Sequence, residues 1–425
     1  MSICLFEDFS ISTLLPLTHV QADFDLRSGI FTARERAQRM FAEEELSLQV
    51  RFGLVDVMRE RSDLRVNDKT DAWLFLNGRT VLDAGLVDLI GRSRERDTLI
   101  MNGDAVVAAI AISDEYRAIF EEWLTSGMLR KELAVIGAAQ PAAAGAAIVD
   151  YPARMFSFPW DLIEFNPSLL CEDARMFPLG SIEVTANIHP SAILVNPEQI
   201  YIAAGASIGA GVVLDASAGP VVILHDAVVM PQAAVLGPAC VGAGSRVKVA
   251  AKLYEGSSIG PMCKVGGEVE GSIFASFANK QHDGFVGHSY FAPWTNLGAD
   301  TNTSDLKNNY STIRATLEGR EYATGRKFLG TIMADHCKCG INTMLNTGTV
   351  AGVGCNIFGG DFPPKFLPSF TWGGSDGMQE YDFDKCCETA SLVYERRARV
   401  FTDAERNLLR DVFVQTASQR DVFQT

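Results

Sequence analysis

Basic residues are in short supply: 37 Lys and Arg stand against 52 Asp and Glu, a formal charge of -15. That balance argues against a nucleic-acid partner, because phosphate backbones are held by clustered cations. It leaves room for a small anionic substrate, which needs only a few local cations. No run approaches the ~18 uninterrupted apolar residues of a membrane span. Residues 1–8 show no basic segment followed by a long apolar run, so no secretory leader is expected and the cytoplasm is the expected compartment. Nine cysteines are scattered, and neither Cys337-x-Cys339 nor Cys386-Cys387 has zinc-site spacing, so reduced thiols are expected. The 47% hydrophobic and 21% charged fractions are ordinary for a globular chain, and 425 residues suffice for two or three domains.

What the chain does have is a six-residue beat. Aliphatic residues fall at Ile223, Val229, Val235, Val241, Val247, Leu253, Ile259 and Val265, eight in succession. The beat also runs through Ile202, Ile208 and Leu214, and returns at Met333, Cys339, Leu345, Ala351 and Ile357. Neither a helix nor an amphipathic strand has this period. Each hexad supplies one short strand and one turn, and three hexads make one coil of a triangular prism whose beat residues stack inside. The expected fold is a left-handed parallel β-helix of hexapeptide repeats, with Cys339 packed inside.

Ahead of the repeat the sequence reads as Rossmann-like α/β. Strands are expected at Ile3–Phe6 and Ala72–Leu76, and a helix over Thr32–Leu46. A hairpin turning at Asn102-Gly103 is expected. A helix follows over Asp114–Met128, then an Ala-rich stretch from Ala134 to Ala147. The expected organisation is an α/β domain over 1–165, a linker over 166–187, the β-helix over 188–372 and a helical tail over 373–425. One interruption, 298–330, is too polar for a coil and reads as a loop ejected from the prism.

Flat β-helix faces have no deep pocket, so clefts are expected between prisms of a homotrimer, with ejected loops reaching across. The densest polar cluster is Asn279 to Ser289, followed by Asn296 to Tyr310. A β-helix core has no use for these residues. His282 suits removal of a proton from an amine or hydroxyl near neutral pH. Neighbouring lysines, Lys264 and Lys280, suit a phosphate. His288 reads as a structural neighbour.

These strings resemble a known family, the bacterial bifunctional uridylyltransferase/acetyltransferases that make UDP-N-acetylglucosamine, in a divergent GlmU-like branch typical of Bacteroidetes. The resemblance rests on Leu15-Pro-Leu-Thr18, Asp25-Leu-Arg-Ser-Gly29 and Leu76-Asn-Gly-Arg79 early in the chain. Later it rests on Pro261-Met-Cys-Lys264, Asn279-Lys-Gln-His-Asp-Gly-Phe285, Asn296-Leu-Gly-Ala, Ser304 to Tyr310, and Phe358 to Phe366. It implies acetyl transfer from acetyl-CoA to glucosamine 1-phosphate, with His282 as general base. It implies Lys248, Asn296 and Lys327 as acceptor contacts, and either Asp305 or Asn308 in place of a loop asparagine. Phe285 stands where the family carries a tyrosine.

For the α/β domain the resemblance implies nucleotidyl transfer from a nucleoside triphosphate, UTP, to a sugar 1-phosphate with Mg2+. The family's Gly-rich loop is replaced here by Leu15 to Gly29, with Arg27 and Gly29 as its remnants. Asn77-Gly78-Arg79 occupies the place of the family's metal-binding Gly-Asp pair, and Asp83 is the substitute carboxylate. Two other readings stay open. One is a nucleotidyltransferase for another sugar 1-phosphate with a structural β-helix; the other is a non-catalytic sugar-nucleotide-binding protein.

Overall fold

The computed structural model describes residues 2–129 and 145–421 and divides into two compact units. The first comprises Met1–Leu14, Val20–Leu26 and Phe31–Phe158, and the second Leu15–His19, Arg27–Ile30 and Pro159–Thr425.

The first unit is a Rossmann-like sheet of seven strands. Their order across the sheet is Arg65–Val66, Glu45–Gln49, Ser2–Phe6, Ala72–Asn77, Ala105–Ile110, Thr98–Asn102 and Ala147–Asp150. All run parallel except Ala105–Ile110, which pairs antiparallel with both neighbours. The hairpin therefore forms, but its turn is Gly103-Asp104, with Gly103 at φ +57° in the first turn position. The first helix is shorter than Thr32–Leu46. It runs over Ala33–Met40 behind a Thr32/Glu35 capping box. Glu45–Gln49 is taken by parallel pairing with Ser2–Phe6, so tertiary pairing overrides the local helical composition there. A helix at Asp114–Leu129 packs Tyr116, Phe120 and Trp123 against the sheet beside Phe6 and Phe75. Most of the Ala-rich stretch lies outside the described residues.

The second unit is the left-handed parallel β-helix. Its short strands stack in register into three faces. Inward residues form three columns. The first holds Ile202, Ile223, Val241, Ile259, Phe274, Phe291, Met333, Ala351 and Leu367. The second runs through Ile208, Val229, Val247, Val265 and Lys280, and the third through Leu214, Val235, Leu253, Val269 and Val286. Cys339 is buried as expected, at 5% exposure. The repeat continues past Pro363-Pro364, since Phe366–Leu367 and Thr371–Gly374 still pair with the coil before them.

Stacked aliphatics supply most of the stability, so a truncation inside a column leaves a cavity. Leu253, fully buried between Val235 and Val269, is the cleanest position. Leu253→Ala is expected to lower unfolding stability by about 2–5 kcal/mol, read from the denaturant midpoint.

Of the expected linker, the part up to Ala174 belongs to a helix, Pro159–Ala174, packed on the outer side of the first face, and Ile182 already bridges to Ile202 of the β-helix. The ejected segment starts later than expected, because Asn302–Thr303 still pairs with Met344–Leu345. Beyond it lies an antiparallel hairpin, Arg314–Leu317 with Arg320–Ala323. This hairpin does not extend away from its own chain. Ile313, Ala315 and Leu317 are buried, and its first strand lies against Thr349–Ala351 and Phe366–Leu367. At its turn Glu318 accepts hydrogen bonds from Gln419 (2.6 Å) and His19 (3.2 Å). The tail folds into helices Phe383–Glu395 and Asp403–Gln415, each with a side-chain N-cap.

Candidate active site

On the second face the residue just before each inward residue points outward. The strand register aligns Arg246, Lys264 and Asn279 in one outward row, and isolated bridges continue it through Asn296 and Lys338. Three cations and two amides therefore share one stripe because the coils are in register. The end of helix Phe383–Glu395 and the residues after it lie over this stripe. Tyr394 stacks on Trp294 with ring centroids 4.0 Å apart, and Trp294 stacks on Phe277 at 4.1 Å. That aromatic stack anchors the tail.

Between stripe and tail lies a cavity of about 270 Å3. Its walls include Lys264, Asn296, Lys338, Gln281, Arg396 and Arg397. Arg397 is oriented by hydrogen bonds to Asn279 Oδ1 (2.8 Å) and the Met262 carbonyl (3.3 Å). Lys338 donates to the carbonyls of Trp294 (2.7 Å) and His336 (3.0 Å). Burial pulls its ammonium down to about 8. Burial first, then the charges of Arg397, Arg246, Arg396 and Lys248, hold the Lys264 ammonium below its usual range. Cations pressed together in an acidic chain favour an anion between them. The β-helix was expected to have no deep pocket of its own, but the tail builds a cavity on it.

His282 follows the cavity residue Gln281 in the turn between Asn279–Lys280 and Phe285–Gly287, and is exposed. Lys264 and Asn296 line the cavity, and Lys248 is half-buried within electrostatic reach of Lys264. Lys280 does not present its ammonium to this face; it points into the prism at 1% exposure. Asp305, Asn308 and Lys327 belong to the ejected segment, where Asn308 and Lys327 are exposed. Asp305 accepts from His288 Nδ1 at 2.7 Å, which ties the root of that segment to the prism. Sequence reading missed Lys338, Arg396 and Arg397. Lys338 was within reach, since it precedes Cys339 as Lys264 precedes Val265.

In the first unit, Asn77 donates to Asp8 Oδ2 (2.8 Å) and the Val106 carbonyl (2.7 Å), and the Gly78 amide donates to the Phe6 carbonyl (2.9 Å). Gly78 closely abuts Asp23, so a Cβ there would collide with the carboxyl. Arg27 and Gly29, the other proposed nucleotide contacts, belong to the second unit. There the Arg27 guanidinium donates to the Ile30 carbonyl, and the Gly29 amide to Asn166 Oδ1 at 2.6 Å.

The residues present do not fit a Mg2+ site at Asp83. Its Oδ1 caps helix Ala84–Arg92 through the Leu86 amide (2.9 Å) and accepts from the Tyr151 hydroxyl (2.6 Å). Arg154 lies 4.0 Å from Oδ2. Nearer the strand ends, Glu7 pairs with Arg51 and Asp8 with Arg79. Burial first, then the neighbouring Glu7 and Asp8, hold the Asp23 carboxyl well above the usual range. Among the described residues no group of three or more His, Cys, Asp or Glu is arranged to hold a metal ion.

Residues 3–181 match the family model described as sugar nucleotidyl transferase. A curated relative, the bifunctional sugar-1-phosphate nucleotidylyltransferase/acetyltransferase of Sulfurisphaera tokodaii, is 28% identical over 93 residues. That match spans 22% of this chain and 23% of the relative's length. Among solved structures, a UDP-N-acetylglucosamine acyltransferase aligns over 52% of this chain and 84% of its own, with 14% identity and a TM-score of 0.26. One from Bacteroides fragilis aligns over 58% and 86%, with 11% identity and a TM-score of 0.24. At such scores these two likenesses carry no argument, and the fold rests on the strand register. No helix among the described residues is long and apolar enough to cross a membrane.

Proposed function

We propose that the protein is a bifunctional sugar-phosphate transferase. Its β-helix transfers acetyl from acetyl-CoA to the amine of glucosamine 1-phosphate. Its first unit transfers uridylyl from UTP to N-acetylglucosamine 1-phosphate. The observation that carries the acetyl-transfer reading is the cavity in which Lys264, Lys338, Arg396 and Arg397 converge with Asn296 and with Gln281, the residue before His282. A sugar phosphate supplies the anion for the cations and hydroxyls for the amides. The amine nitrogen attacks the thioester carbonyl carbon, forming C–N and breaking C–S. The proton it sheds goes to the His282 imidazole and then to the departing thiolate of CoA. A more open hollow of about 660 Å3, walled by Ile341, Phe358, Asn302 and Met344, offers the apolar surface that a thioester arm needs.

The nucleotidyl reading is supported by the sugar nucleotidyl transferase match over 3–181 and the Rossmann-like sheet.

A homotrimer belongs to the same proposal. The outer row of the first face, including Val222, Cys240, Ser258 and Tyr290, is buried within the chain. The third face presents Asp215, Glu268 and Glu270 together with Lys252, which pairs with Glu268 at 3.8 Å, and this mixed polar face suits contact with a neighbouring copy.

Two assays on the purified protein separate the readings. Thiol release from acetyl-CoA with glucosamine 1-phosphate is expected, as is pyrophosphate release from UTP with N-acetylglucosamine 1-phosphate. Pyrophosphate alone would leave the β-helix a structural role, and neither product would leave a binding protein.

A further inference from the structure

We infer that Lys280 is a positioning residue for acetyl transfer, its ammonium pinning from inside the prism the turn that carries His282. The inference rests on the reading of His282 as the base.

Lys280 is the exception in its column. The inward residues before it are Ile208, Val229, Val247 and Val265, and Leu297, Cys339 and Ile357 belong to the same apolar core. At 1% exposure it brings a charge into that stack, which is costly unless the charge is bonded. Its Nζ donates to the carbonyl of His282 itself (2.8 Å) and to that of Gly266 on the preceding coil (3.3 Å). Room for the ammonium comes from Gly267, which at φ +72° stands where a Cβ would lie 2.9 Å from Nζ. From the following coil the Asp300 amide donates to the Asp283 carbonyl (3.1 Å), and Asn302 Oδ1 accepts from the Phe285 amide (2.7 Å). The turn from 281 to 284 is thus held from within by Lys280 and from the next coil by Asp300 and Asn302.

A methionine at 280 would suit the column better and leave both carbonyls without this donor. A role in packing alone therefore predicts that turnover follows stability, whereas a role in orienting His282 predicts that turnover falls far more than stability does. The ionisable groups facing the ammonium are the carboxylates of Asp283 and Asp300, with His282 in the same turn. Burial, against the pull of those two carboxylates, brings it down to about 8.

The test compares wild type, Lys280→Met and His282→Gln by thiol release from acetyl-CoA with glucosamine 1-phosphate, alongside thermal unfolding. Lys280→Met is expected to lower kcat on the order of 100-fold through a misplaced base. KM for both substrates should change by less than about twofold, as for an interaction that acts in the transition state only. Its thermal midpoint should stay within a few degrees of wild type, the better apolar fit offsetting much of the two lost hydrogen bonds. In wild type kcat should fall part of the way above about pH 8, where the ammonium becomes an amine that donates more weakly to the same two carbonyls, and this limb should be missing in the variant. Wild-type kcat in Lys280→Met, a kcat limb that persists, or a kcat lost only because the variant is largely unfolded at the assay temperature would each overturn the inference. Full activity in His282→Gln would instead remove the underlying base assignment, whatever Lys280→Met does.

Discussion

His282→Gln should lower thiol release from acetyl-CoA by about 100- to 10,000-fold, the span expected when a general base is removed. The substitution keeps the side chain polar and of similar reach, and His282 is exposed in its turn, so folding should be unaffected. The loss should fall on kcat, with KM for glucosamine 1-phosphate little changed, because the cavity's cations hold the phosphate and the imidazole acts on the amine. Nucleotidyl transfer, measured as pyrophosphate release, should be untouched. A rate within a few fold of wild type would mean that the base lies elsewhere. His288 is the next candidate, since Asp305 already orients its ring at 2.7 Å.

The second large effect is expected at the tail. Replacing Arg396 and Arg397 together by Ala removes two of the cavity's cations while Lys264 and Lys338 remain. Hydrogen bonds to charged groups contribute about 1.5–3 kcal/mol each, so KM for the sugar phosphate should rise at least ~10-fold. The salt dependence of KM should also flatten, because fewer charges attract the substrate. Arg397 additionally bonds Asn279 and Met262, so thermal unfolding must accompany the assay. The tail's remaining anchors, the Tyr394–Trp294 stack and Arg420 on the Ser369 and Phe413 carbonyls, should keep the midpoint close to wild type. Unchanged KM would show that the phosphate does not enter this cavity.

The β-helix was legible because eight successive beats admit no other packing. Its irregular part was not. Val247 to Val265 spans 18 residues, but Val265 to Lys280 spans 15. Counting by sixes past Val265 therefore never lands on Lys280, and nothing local reveals that this lysine turns inward while Lys264 turns outward. The half of the cavity made by Lys264 and Asn296 was readable from composition and family resemblance. The half made by Arg396 and Arg397 was not, because a docked tail depends on long-range contacts such as Tyr394 on Trp294 that have no periodic trace. In the α/β unit, Asp83 read as a lone carboxylate, and only its bonds to the Leu86 amide and Tyr151 show it committed to a helix cap. Helix Ala33–Met40 was overextended for a similar reason: residues from Glu45 obey a parallel partner strand rather than their own propensity.

Glucosamine 1-phosphate and acetyl-CoA soaked into crystals of the His282→Gln protein provide the most direct measurement. The account predicts the sugar's phosphate between Lys264, Lys338 and Arg397, with its amine within hydrogen-bond distance of the residue at position 282. Sugar phosphate bound anywhere else, with that cavity holding only solvent, would contradict it.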